Sequence, residues 1–454
     1  MRPGTISMFK RYLSSGKIKP KICIVGSGPA GFYAAQHLAK KLQDSEIDIY
    51  ERLPVPFGLW PPDHPEVKNV IHTFTKTAEN PHVRFVGNVN LGKDVSLAQL
   101  KEAYHAYGAE QSKKLNIPGE DTKNVIQARK IVGWYNGNPW DSNLDIDLSG
   151  ETVAIFGQGN VAIDVARILL TPIDELKNTD ITQHALEALS QSKVKTINLI
   201  GRRGPLQAAF TIKELREMLK LKNCRTEWQL EDFQGIQECV ANLARPRKRI
   251  TELMLKSLSQ QSETLGNNVF KPVFRRSPLE ILGDSKVERV TLGVNNLVGE
   301  DFLNKTAVLT SKRETINCEL VVLSIGYKSI QVDKDIPFDS HKGIVKNVNS
   351  KVEKGVYVTG WLGMGPTGVI LTTMSNAFGV ADVILNDMET EKLVSENKPG
   401  YEDVIKLLNN RNVQVVSWTD WEKLDKYEIQ EGQKVGKPRE KVVSVEEMLR
   451  IASS

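Results

Sequence analysis

Cysteine is rare in this 454-residue chain: Cys23, Cys224, Cys239 and Cys318 stand far apart and never form a C-x-x-C pair. That argues against a dithiol redox centre and a cysteine-ligated iron–sulfur cluster. The seven histidines show no metal-ligand spacing, so no metal site is expected. Any redox chemistry must ride on a bound organic cofactor. No apolar run approaches the roughly 18 residues of a spanning helix, which leaves at most a peripheral membrane association. Excess charge is also lacking: a net +5 is too slight to point to nucleic acid. Acidic residues are missing altogether before Asp44, whereas Arg2, Lys10, Arg11, Lys17 and Lys19 crowd the start. With their serines and the patch Met8, Phe9, Tyr12 and Leu13, residues 1–20 read as an organellar presequence. The alternative is a basic tail on a cytoplasmic protein.

What is present is a pair of glycine turns, in a chain long enough for two domains. In "KICIVGSGPAGF" a buried-strand pattern, Ile22–Val25, breaks into Gly26, Gly28 and Gly31 and then reads as a helix. The first glycine permits a tight turn, the second lets the backbone approach a pyrophosphate, and the third allows close helix–strand packing. The helix start supplies N–H groups and a positive dipole end. A second strand, "EIDIYER", ends at Glu51, twenty-five residues after Gly26. A carboxylate there suits an unphosphorylated ribose, as in FAD or NAD.

In "ETVAIFGQGNVA" the pattern recurs, with Gly157, Gly159 and Ala162 in the three places. Here the following strand, "TINLIGRR", ends at Arg202 and Arg203. Paired guanidiniums can hydrogen-bond a ribose 2′-phosphate in a fork, which reads as NADP. Forty-five residues separate Gly157 from Arg202, and the extra length looks like an inserted helical hairpin. Two turns with opposite charges at their strand ends are expected to hold different nucleotides and to pass electrons between them.

Further on, "INCELVVLSIGYKS" reads as a buried strand and Val356–Thr359 as another, followed by a glycine-rich loop and a long helix. That helix, opening near Gly368, Val369 and Ile370, can aim N–H groups at a flavin ring. The NADP domain is thus expected as an insertion. Residues 21–137 and 330–454 would form the FAD domain and 138–329 the NADP domain, with joints at "GWYNGNPW" and "SIGYKS". The fold class is α/β, with two Rossmann-like dinucleotide-binding domains.

The stretches "VGSGPAGFY", "PVPFGL", "PDHPEVKN", "VGWYNG", "GQGNVAIDVARILLTP", "GRRGPLQAAFTIKELREM", "ARPRKR", "SIGYKS", "GPTGVI" and "GKPREK" carry a resemblance over nearly the whole chain. It resembles the ferredoxin–NADP⁺ reductases of the adrenodoxin reductase type. The resemblance implies a mitochondrial matrix flavoprotein that takes electrons from NADPH onto FAD. It then gives them to a small acidic [2Fe–2S] ferredoxin of the adrenodoxin kind, serving P450 or iron–sulfur cluster pathways. Ala30, Glu51, Leu59, Leu91, Trp361 and Gly368 to Ile370 match the family's FAD contacts. Gln158 to Val161 (that is, Gln158, Gly159, Asn160 and Val161), Arg202, Arg203 and Glu214 match its NADP contacts, and Gly368 lies where nicotinamide meets flavin. Arg245 and Arg249 match the arginines that receive the ferredoxin; by composition alone they are a solvated basic helix face.

The sequence departs from the family after "PFGL", where only Trp60-Pro61 precedes "PDHP", and after "AYHA" near Tyr107, where a short apolar strand is missing. The family's Lys-Arg after "GW" is also absent. A monomer is expected, and no side chain is assigned a catalytic role; His64 and Asp164 are weighed as proton relays against plain structural hydrogen bonding. A flavin monooxygenase or a non-catalytic NADP(H) sensor are the competing readings.

Overall fold

The computed structural model describes residues 19–58, 65–104, 115–261, 266–326, 329–365, 370–391, 393 and 397–454. The expectations for the presequence, Leu59, His64, Gly368, Val369 and the two shortened segments near Trp60 and Tyr107 lie outside these residues. The chain divides into two compact units. One takes the described residues of 1–112, 327–431 and 442–454, the other those of 113–326 and 432–441. The division falls earlier than the "GWYNGNPW" joint and close to "SIGYKS". Among the described residues no helix is long and apolar enough to cross a membrane.

The first unit is built on a parallel sheet of β1 (Lys21–Val25), β2 (Glu46–Tyr50) and β3 (Val83–Val86), in that order. Val25 pairs with Tyr50, which brings the end of β2 alongside the first glycine turn. Helix α1 (Pro29–Lys41) follows that turn, with Pro29 in its first turn, where a missing N–H costs nothing. Phe32, Ala35, Leu38 and Ala39 face a core shared with Ala377, Ala381 and Ile384 of the helix Ile370–Thr390. Small residues on both sides let the two helices pack closely. Phe32 also stacks on Phe74, with ring centroids 5.0 Å apart.

The second unit holds a six-stranded sheet: β4 (Val125–Gln127), β5 (Thr152–Phe156), β6 (Thr196–Ile200), β7 (Cys224–Thr226), β8 (Asn268–Val273) and β12 (Leu320–Leu323). The order is β4-β12-β5-β6-β8-β7, every pair parallel. β12, inserted beside β5, is buried at all four positions, as a parallel sheet covered on both faces requires. An antiparallel sheet of β9 (Arg276–Leu282), β10 (Arg289–Val298) and β11 (Thr306–Asn317) completes the strands of this unit among the described residues. Helix α2 (Asn160–Leu170) follows the second glycine turn, and α3 (Arg245–Gln260) begins at the basic stretch. The length before β6 is indeed helical, at Ile173–Leu176 and Gln183–Ser190.

Two local expectations are corrected. The loop expected after Thr359 contains a helical turn, Trp361–Met364, and its strand is shorter, Val356–Tyr357. The motif "GKPREK" belongs with the second unit: Lys437 is buried and its Nζ donates to the Ile181 carbonyl at 2.6 Å, while Glu440 accepts from the Gln183 N–H at 2.9 Å. All four cysteines are buried as free thiols. Burial pushes Cys224 up to about 11 and Cys318 up to about 12, so neither is a thiolate at neutral pH.

Candidate nucleotide sites

The two glycine turns have the same backbone. Gly26 and Gly157 both take positive φ, +99° and +122°, which favours glycine. The Gly26 N–H donates to the Tyr50 carbonyl at 2.7 Å and the Gly157 N–H to the Ile200 carbonyl at 2.9 Å, so each turn is tied to the end of its neighbouring strand. Gly28 and Gly159 are the helix N-caps, and neither helix start has a side-chain cap. A Cβ at either glycine would meet nothing within 4 Å. Free amides at a helix start, beside open space, are what a pyrophosphate needs. At the third position a Cβ on Gly31 would run into the Gly26 carbonyl oxygen, whereas the second turn accommodates the fully buried Ala162.

The side chains differ. In the first unit Glu51 is 9% exposed and sits just past β2. Its Oε2 accepts from the Ser27 N–H at 2.9 Å and from the Ser27 hydroxyl at 2.8 Å, and Oε1 accepts from the Leu53 N–H at 3.1 Å. A carboxylate has about four lone-pair sites, so this one keeps acceptor capacity for a ribose hydroxyl. Ser27 is fully buried and was not anticipated; its place between the two glycines is the one sequence signal.

The return segment comes to the same turn. Gly360 has φ +63°, and a Cβ there would lie 2.8 Å from the Ala30 side chain. Asn376 holds it by accepting from the Gly360 N–H at 2.8 Å. Ala30 and Trp361 are thereby brought together within one unit, and Asn376 was missed because nothing local marks it. Leu91 is buried in the core with Val86, Val89 and Val95. Ile370 opens the long helix.

In the second unit Arg202 and Arg203 are exposed just beyond β6. Their backbone is pinned from β10 and the approach to β9: Asn295 donates to the Arg202 carbonyl at 2.9 Å and the Arg275 N–H donates to the Arg203 carbonyl at 2.9 Å. The main chain is fixed while both guanidiniums reach outward. Gln158 spends its side chain on the sheet, donating to the Leu199 and Val273 carbonyls at 3.2 Å each. That leaves its backbone available to a ligand. Val161 likewise packs on the core. Asn160 accepts from the Thr211 N–H at 2.7 Å, and the Thr211 hydroxyl donates to Glu214, which links Glu214 to the turn. Asp164 has both oxygens engaged, by the Tyr135 hydroxyl and by Arg167, each at 2.7 Å. Arg245 and Arg249 are exposed, the one opening α3 and the other a turn further on.

Comparison with known proteins adds the following. A NAD(P)-binding Rossmann-like domain model matches residues 24–86. The chain is similar to the NADPH:adrenodoxin oxidoreductase, mitochondrial, of Drosophila melanogaster, at 52% identity over 95% of this chain and 93% of that one. It is 48% identical to the Homo sapiens protein of the same name over 99% of this chain and 95% of that one. Among solved structures it is similar to Mycobacterium tuberculosis FprA in complex with NADPH, with a TM-score of 0.90, 38% identity and coverage of 96% and 100%.

Proposed function

We infer the function from one premise: the chain belongs to the mitochondrial NADPH:adrenodoxin oxidoreductase family. It is an NADPH-dependent FAD oxidoreductase of mitochondria that passes electrons to a ferredoxin of the adrenodoxin kind. When bound, NADPH supplies a hydride, and FAD converts a two-electron donor into single electrons for an iron–sulfur acceptor. What the chain itself contributes is binding, orientation and selection.

We propose that FAD is held by the first unit and NADPH by the second. The observation that carries this assignment is the contrast at the strand ends: a buried carboxylate fixed by Ser27 in one, paired outward guanidiniums in the other. In the first unit Gly26, Gly28 and Gly31 receive the pyrophosphate, Glu51 the ribose, and Ala30, Leu91, Trp361 and the start of the Ile370–Thr390 helix complete the wall; Leu59, Gly368 and Val369 belong to the same proposal. In the second unit the backbone from Gln158 to Val161 receives the pyrophosphate, and Arg202 and Arg203 receive the 2′-phosphate. Asn160, Thr211 and Glu214 stabilise that turn. No side chain is asked to move a proton.

The exposed Arg245 and Arg249 are proposed to receive the acidic ferredoxin. We further propose a monomer with at most a peripheral membrane contact. Purified protein should be yellow, its flavin absorption should bleach with NADPH in the absence of oxygen, and a [2Fe–2S] ferredoxin with cytochrome c should restore it. A colourless protein that still binds NADPH would remove the reductase reading and favour a nucleotide sensor.

A further inference from the structure

A third guanidinium feels the charge of one of the paired arginines, Arg203. Arg247 lies in the first turn of α3 between Arg245 and Arg249, yet it is turned inward and half-buried where they are exposed. Its Nη1 donates to the Ala208 carbonyl at 2.8 Å. The next two amides, of Ala209 and Phe210, both donate to the Gln158 carbonyl at 2.9 Å. Arg247 is therefore anchored one residue from backbone that is bonded directly to the second glycine turn.

Its electrostatic surroundings are adverse. Burial and the positive charge of Arg203 both push the Arg247 guanidinium below its ordinary range. No acidic residue stands in the first turn of α3, whose positive dipole end disfavours a cation as well. Two guanidiniums that repel each other are both stabilised by an anion that reaches them. The Ala208 anchor sets Arg247 beside the second glycine turn, the side on which the proposed adenosine 2′-phosphate would lie.

We propose that Arg247 is a third arginine of the 2′-phosphate site, clasping the phosphomonoester together with Arg203 and setting the preference for 2′-phosphorylated adenine nucleotides. This rests on the reading of Arg202 and Arg203 given above. It also divides the basic turn of α3 into an inward residue for the nucleotide and outward residues for the protein partner.

Calorimetric titration of the flavin-loaded protein with 2′,5′-ADP and with 5′-ADP tests it. Arg247→Met should weaken 2′,5′-ADP about tenfold or more and leave 5′-ADP within about twofold, as loss of a charge-assisted bond to one phosphate requires. Arg247→Lys, which keeps the charge and loses the fork, should recover part of the affinity. Unchanged 2′,5′-ADP binding in Arg247→Met, or equal weakening of both ligands through the Ala208 loop, overturns the proposal. Arg203→Met is titrated alongside. If it weakens 2′,5′-ADP and Arg247→Met does not, Arg247 alone is retired. If neither matters, the assignment of NADPH to the paired arginines falls too.

Discussion

The two glycine turns share a backbone and differ in what closes it. In each, the first glycine is in positive φ and is bonded to the last carbonyl of the adjacent strand. In the first, Ser27 is small enough to be buried completely, and it donates twice to Glu51. In the second, Gln158 reaches over the sheet instead, and the strand ends in two arginines that face solvent. The backbone geometry serves any pyrophosphate. On the proposed assignment, the residue between the glycines and the residue after the strand select the sugar.

The comparison breaks most completely at the third glycine. Gly31→Val places a side chain where even a Cβ would strike the Gly26 carbonyl, so the protein should purify with almost no flavin, read as absorbance per mole. Ala162→Gly in the second turn should cost only about 1 kcal/mol of helix stability and keep NADPH binding. A yellow Gly31→Val protein would show that the two turns tolerate side chains alike.

A second contrast concerns buried acids, of which each unit has one with a similar shift. Burial, against the Tyr104 hydroxyl and Arg84, leaves Asp48 raised to about 6; Glu46 raises it and Lys21 lowers it. Burial likewise raises Asp232 to about 6, against the Phe274 N–H, Arg276 and Arg275, with Glu231 raising it. Both pKa values lie above the unfolded range, so between about pH 4 and pH 6 the folded state binds more protons than the unfolded one. Each acid therefore makes stability fall as pH rises through that window, by about 2–3 kcal/mol at one pKa unit per 1.36 kcal/mol. Comparing denaturation midpoints of wild type with Asp48→Asn and Asp232→Asn across pH 4–7 should show that fall reduced in each. An identical pH profile in either variant would contradict the shift assigned to its acid.

The smallest expected effect sharpens the division within α3. Reversing the outward charges with Arg245→Glu and Arg249→Glu should raise the KM for ferredoxin by about tenfold at low ionic strength, leave reduction by NADPH unchanged, and flatten the salt dependence. Ferredoxin turnover that ignores both the substitutions and salt would remove the docking assignment.

Much of this was legible in the sequence because it is local. Gly-x-Gly after a buried run, a charge at the end of the next strand, and the helical insertion before β6 are all written within short windows. What escaped is written across long ones. Ser27 and Glu51 meet only because β1 and β2 pair in parallel. Gly360 reaches Ala30 only because Asn376 fastens its backbone and the Ile370–Thr390 helix packs on α1. The return of residues 432–441 to the second unit depends on a buried lysine, Lys437, whose partner carbonyl, that of Ile181, is far away in sequence. Gln158 adds a role that its local sequence does not show: its side-chain amide braces the sheet, which leaves its backbone for the proposed ligand contact.

The most direct test is the coenzyme preference of flavin reduction, measured by stopped flow with NADPH and with NADH for wild type and Arg202→Gln/Arg203→Gln. Wild type should favour NADPH, and the double variant should lose about 100-fold of that preference, the worth of two charge-assisted bonds, with NADH rates and flavin content unchanged. A variant that keeps its preference, or a wild type that favours NADH, would contradict the assignment of the two nucleotides by the charge at each strand end.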